Sequence, residues 1–148
     1  MAKPIYILNG PNLNLLGKRE PGIYGSETLD GIRARAQAKG EALGHAIDFR
    51  QSNFEGELVN WIQEASDKAS GLIVNAGAYT HTSVAMLDAL LAIQIPCVEV
   101  HLSNIFQRED FRRESYISRA AVGLICGFGP KGYELAIEAI TDILAQPE

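Results

Sequence analysis

Three short stretches of this chain concentrate side chains that exchange protons or hold anions. The first runs from Asn9 to Gly25 and carries Arg19 and Tyr24. A free tyrosine ionises near pH 10, so only about one in a thousand is phenolate at pH 7, and a nearby guanidinium lowers that pKa by about 1–3 units. Tyrosine beside arginine thus reads as a general base or as an aromatic ring that packs its loop shut. The second stretch, Asn75–Ser83, holds His81, with Asp88 seven residues on. Read as the start and middle of one helix, the two share a face. His81 then either caps and packs the helix start or stands where backbone N–H groups meet an anionic oxygen, with Thr80 or Thr82 as the cap. The third stretch begins at Glu99 and reaches Ser115 through His101, Ser103, Arg108, Arg112 and Arg113. Glu99 and His101 alternate on one side of a strand. A carboxylate fixes the tautomer of an imidazole and suits it to general-acid work, the other reading being a structural histidine at a strand end.

These stretches follow strand-like runs, and the elements that must position them alternate along the chain. Strands are expected at Pro4–Leu8, Ala46–Gln51, Leu72–Asn75, Cys97–Leu102 and Val122–Cys126. Helices are expected at Leu29–Leu43, after a capping box at Ser52–Glu55, at Thr82–Ile93 before Pro96, and at Gly132–Leu144. Leu58, Trp61, Ile62 and Ala65 mark the apolar face of the second helix. Five β–α units imply a doubly wound α/β domain over residues 1–148, with a parallel sheet in the flavodoxin-like order 2-1-3-4-5. Ligands of such sheets bind beyond the carboxyl ends of the strands, near the switch between strands one and three. All three polar stretches fall there. The first is about 20 residues long where such loops usually take about 2–6, and it reads as a lid hinged at Gly17, Gly22 and Gly25.

Composition narrows the function. The 148 residues carry a net charge of −5 and are 47% hydrophobic, which suits one globular domain and argues against nucleic-acid binding. Arginines gathered in two loops of an acidic chain suit a small anion. No apolar run approaches the roughly 20 residues of a membrane span. Met1–Pro4 lacks the layout of a secretory leader, and Cys97 and Cys126 read as buried free thiols, so a cytoplasmic location is expected. Two histidines and an aspartate at this spacing match no metal motif. Gly127–Gly132 fits G-x-G-x-x-G, yet no strand and acidic residue follow, so it reads as a tight strand-to-helix turn and not a nucleotide site. None of the five lysines lies in an apolar strand where a Schiff-base amine would form. A non-catalytic flavodoxin-like module is the competing class. A phosphoacceptor regulator would want aspartates where Asn9 and Asn75 stand, and a flavin binder would be yellow.

The segments Asn9–Gly25 (N-G-P-N-L-N-L-L-G-x-R-E-P-x-x-Y-G), Asn75–Ser83 (N-A-G-A-Y-T-H-T-S), Glu99–Asn104 (E-V-H-L-S-N) and Arg108–Ser115 (R-E-x-F-R-x-x-S) together resemble the type II 3-dehydroquinate dehydratases over essentially the whole length. Ala78 departs from a second glycine found in some members. The resemblance implies dehydration of 3-dehydroquinate to 3-dehydroshikimate by anti elimination through an enolate, without cofactor or metal. In that scheme Tyr24 is the base and Arg19 holds its phenolate. Asn12 holds a water that stabilises the enolate, and His101, oriented by Glu99, protonates the departing hydroxyl. Asn75, His81, Asp88, Arg112 and the backbone at Leu102–Ser103 would bind the carboxylate substrate. The resemblance also implies a dodecamer built from trimers, in which Asp88 reaches into a neighbour's site.

Overall fold

A computed structural model describes residues 2–18 and 27–147. Arg19, Tyr24 and most of the expected lid lie outside the described residues. Five parallel strands, β1 (Ile5–Asn9), β2 (Ile47–Gln51), β3 (Gly71–Asn75), β4 (Cys97–His101) and β5 (Gly123–Cys126), form one sheet in the order β2-β1-β3-β4-β5. Among the described residues four α-helices cover it: α1 (Leu29–Ala42), α2 (Glu55–Lys68), α3 (Val84–Ala92) and α4 (Lys131–Ala145). None of the described helices is long and apolar enough to cross a membrane.

Alternation along the strands divides the core in two. Ile5, Ile7, Ile73, Val98 and Val100 pack with Leu29, Ile32 and Ala36 of α1 and with Tyr133, Ala136, Ile137 and Ile140 of α4. Their neighbours Tyr6, Leu8, Leu72, Val74 and Cys97 face Leu58, Ile62 and Ala65 of α2 and Met86, Ala89 and Leu90 of α3. The three central strands are buried along their whole length, as expected of strands covered on both faces. The same alternation sends Asn9 and Asn75 toward the α4 side, while Glu99 and His101 point to the other.

The helix starts differ from the sequence reading. The expected capping box needs Glu55 at the third helical position, but Glu55 is the first and Phe54 is the cap. Ser52 Oγ instead accepts the Phe54 N–H at 2.9 Å, closing a turn before the helix. Residues Gly77–His81 form a 3₁₀ turn, and α3 starts only at Val84, where the Ser83 hydroxyl accepts from the Met86 N–H at 3.0 Å. Neither Thr80 nor Thr82 is the cap, and His81 and Asp88 do not share a helix face. The carboxyl ends of β1 and β3 run so close that a Cβ on Gly10 would lie 2.2 Å from the Ala76 carbonyl oxygen. Residue 10 therefore has to be glycine. Gly127 and Gly129, at φ 94° and 59°, form the tight turn expected between β5 and α4. Its N–H groups bond back to the His101 and Leu102 carbonyls at 3.4 and 3.0 Å, which ties the turn to the end of β4.

Candidate active site

At the carboxyl ends of β1, β3 and β4 opens a cleft, where ligands of such sheets bind. Asn12, Asn75, His81, His101, Leu102, Ser103 and Arg112 line it, joined by Arg108, Pro11 and Gly77. Glu99 lies behind His101. Asp88 is exposed on α3 and away from the lining. Of the three clustered arginines, Arg113 turns outward to pair with Asp110 at 3.4 Å. Arg112 and Arg108 share Glu109, at 3.0 and 3.7 Å, and both remain on the cleft wall. Glu109's own backbone and Arg112 hold its carboxyl below the usual range.

His101 is nearly buried, and its Nε2 lies 2.5 Å from Glu99 Oε2. A carboxylate only accepts, so Nε2 carries the proton there and Nδ1 is left for the cleft. Glu99 is fully buried. Ser115 Oγ donates to its Oε2 at 2.6 Å, and the Ser118 hydroxyl donates to Oε1. Burial alone pushes the Glu99 carboxyl up, but the His101 ring and the two hydroxyls outweigh it and hold the group below the ordinary glutamate value. A buried carboxylate with three donors is a stable anion, and it keeps the imidazole in one orientation.

His81 is held differently. Its Nδ1 lies 2.8 Å from the Glu114 carbonyl oxygen, which can only accept, so Nδ1 carries the proton and Nε2 is an acceptor. Burial, with His101 and Arg112 nearby, pushes its pKa below the usual value against the opposing pull of that carbonyl. The ring is therefore neutral at pH 7 and offers a lone pair.

Asn12 stands at φ 68°, in the left-handed region that asparagine tolerates better than most residues. Asn53 Oδ1 accepts the Asn12 N–H at 3.0 Å. Gln51 Nε2 donates to Asn53 Oδ1 and to the Gly10 carbonyl, each at 3.1 Å. Tyr79 donates to the Asn53 carbonyl at 2.7 Å. The loop after β1 is thereby tied to the end of β2.

Residues 3–141 match the family model described as dehydroquinase class II. The chain belongs to the class II dehydroquinase family. It is 59% identical to a 3-dehydroquinate dehydratase of Rhizobium johnstonii, over 98% of this chain and all of that one. Identity to a 3-dehydroquinate dehydratase of Phenylobacterium zucineum is 60%, over 94% of this chain and 96% of the relative. The fold superposes on a crystal structure of the type II dehydroquinase of Propionibacterium acnes with a TM-score of 0.92, at 44% identity, covering 96% of this chain and 98% of that one.

For a class II dehydroquinase, the residues missed in the sequence form the supporting layer. Ser115 stood in the R-E-x-F-R-x-x-S pattern with no role attached, and Ser118 carried no signal at all. Asn53 sat inside the mistaken capping box. Tyr133 reads as an ordinary apolar position of a terminal helix.

Proposed function

We propose that this chain dehydrates 3-dehydroquinate to 3-dehydroshikimate, with a general base and a general acid on opposite sides of the substrate. The observation that carries the reading is a buried, triply bonded Glu99 holding His101 against a cleft that Arg108 and Arg112 make attractive to a carboxylate. Tyr24, assisted by Arg19, takes the proton beside the ketone. Asn12 holds a water against the developing enolate, and His101 passes a proton from its cleft-facing Nδ1 to the leaving hydroxyl as the carbon–oxygen bond breaks, taking a replacement proton from solvent. The hydroxyl leaves as water, and the base returns its proton to solvent. Arg112, the backbone at Leu102–Ser103, Asn75 and His81 bind the carboxylate and hydroxyls. The assembly is a homo-oligomer, a dodecamer of trimers, in which the exposed Asp88 reaches the cleft of a neighbouring copy. No metal or cofactor takes part.

The test is direct. Purified protein mixed with 3-dehydroquinate should raise the ultraviolet absorbance of a conjugated enone, at the same rate with and without EDTA. A folded protein that gives no rise overturns the reading. The roles separate by following exchange of the proton beside the ketone with deuterated solvent. Tyr24→Phe should lose exchange and dehydration together, by about 10²–10⁴-fold, whereas His101→Ala should keep slow exchange and lose dehydration. Normal exchange in Tyr24→Phe, with exchange lost in His101→Ala, would reverse the two assignments.

A further inference from the structure

Beneath the cleft floor, two asparagines stand side by side, because Asn9 at the end of β1 pairs in register with Asn75 at the end of β3. Tyr133, in the first turn of α4, places its hydroxyl against both. It donates to Asn9 Oδ1 at 2.6 Å and accepts from Asn75 Nδ2 at 2.9 Å. Asn9 and Tyr133 are fully buried and Asn75 nearly so. The glycine turn before α4, with Gly127 and Gly129 at positive φ, is what delivers this ring.

The direction of every proton in this chain is fixed from one end. Asn9 Nδ2 lies 2.9 Å from the Arg50 carbonyl, and a carbonyl only accepts. The other end of the Asn9 amide, Oδ1, must therefore face Tyr133, and it too only accepts. The hydroxyl spends its single proton there and has only lone pairs to offer Asn75, so Asn75 must turn its Nδ2 toward the ring. Asn75 Oδ1 accepts the Gly77 N–H at 3.2 Å, in agreement with that orientation. Burial pushes the Tyr133 pKa far up, against the bond from Asn75, so the hydroxyl keeps its proton at any working pH and the relay does not reverse.

We propose that Tyr133 and Asn9 are positioning residues that lock the Asn75 amide in one of its two flips, so that Asn75 offers the substrate an N–H donor. The inference rests on Asn75 being a substrate contact. Without the phenol oxygen only the 3.2 Å bond from the Gly77 N–H holds the amide, and a half turn would present its carbonyl, which repels a substrate oxygen lone pair. An N–H bond made to substrate and transition state alike governs binding more than turnover.

The experiment is steady-state kinetics, with quinate inhibition as a binding check, on Tyr133→Phe, Asn9→Ala, Asn75→Ala and the double variant Tyr133→Phe/Asn75→Ala. All are assayed below their measured melting temperatures. Tyr133→Phe should raise KM and the quinate inhibition constant by about tenfold, with kcat within about threefold of the parent. Asn9→Ala, which frees the hydroxyl to donate to Asn75 while keeping the ring in place, should move KM in the same direction and covers the case in which Tyr133→Phe does not fold. The double variant should have the KM of Asn75→Ala alone. Multiplying effects in the double variant, or a fall in kcat with KM unchanged, would mean that Tyr133 and Asn9 serve stability only. A raised KM in Asn75→Ala with parental values in both Tyr133→Phe and Asn9→Ala would overturn the relay and leave the site reading standing. Unchanged KM and inhibition in Asn75→Ala would remove the substrate contact itself, and the relay with it.

Discussion

Two imidazoles face the same cleft from opposite kinds of support. His101, at the end of β4, leans on a buried carboxylate that three donors keep ionised. His81, in the turn after β3, leans on a main-chain carbonyl of the surface loop around Glu114. A carboxylate stabilises a positive ring and lets it carry and release a proton. A carbonyl fixes the tautomer without adding charge, and burial then favours the neutral ring. One fold thus holds two rings of the same residue type against one cleft, one backed by a buried charge and one by a neutral carbonyl. The difference lies in what stands behind each ring.

The sharpest way to break this comparison is to remove each support. His101→Ala should lower kcat by about 10²–10⁴-fold with little change in KM. Glu99→Gln keeps the shape but removes the charge, and should lower kcat by about 10²-fold. Melting curves taken beside the kinetics distinguish a lost charge from a lost fold. Equal kcat losses in His101→Ala and His81→Ala would erase the distinction between the two rings.

The serines offer a finer test. Because Glu99 ionises below its ordinary value of 4.5 when folded, the stability it adds is complete above that pH. That stability is lost as pH falls through the lower folded value. Ser115→Ala and Ser118→Ala each remove a donor to the ionised form, so the Glu99 pKa must rise. The acid limb of kcat/KM should then move to higher pH, and activity at pH 7 should fall by about tenfold or less. The double variant should move the limb further than either single change. An acid limb unmoved in all three would show that the hydroxyls do not set the carboxylate's charge.

The alternation of strand and helix was legible because buried parallel strands and amphipathic helices leave period and composition in the chain, and the sheet order followed. So did the end of the sheet where chemistry gathers: Asn12, Asn75, His81, His101, Leu102, Ser103 and Arg112 all line one cleft. What failed was local. Ser52-x-x-Glu55 fits a capping box, but Phe54 rather than Ser52 is the cap, since sequence spacing does not fix which residue takes that position. The 3₁₀ turn at Gly77–His81 broke the expected face shared by His81 and Asp88. The supporting groups were illegible for another reason. Ser118 meets Glu99 across 19 positions and Tyr133 meets Asn9 across 124, distances at which residue type carries no trace of a partner.

The smallest expected effect belongs to His81. Its neutral ring offers Nε2 as an acceptor, which suits a substrate hydroxyl, so His81→Ala should raise KM by about threefold to tenfold and leave kcat nearly unchanged. Acid should show the same character in the parent. Because the folded pKa lies below the ordinary value, the unfolded chain binds the extra proton first as pH falls. The His81 contribution to stability is therefore whole above about pH 6.5 and is lost below it. His81→Asn removes the titrating ring, so melting temperatures followed from pH 7 to pH 5 should fall less in this variant than in the parent. The opposite order would mean that the folded protein favours the charged ring. In that case His81 would act as a cation toward the carboxylate, and the contrast with His101 would be one of degree.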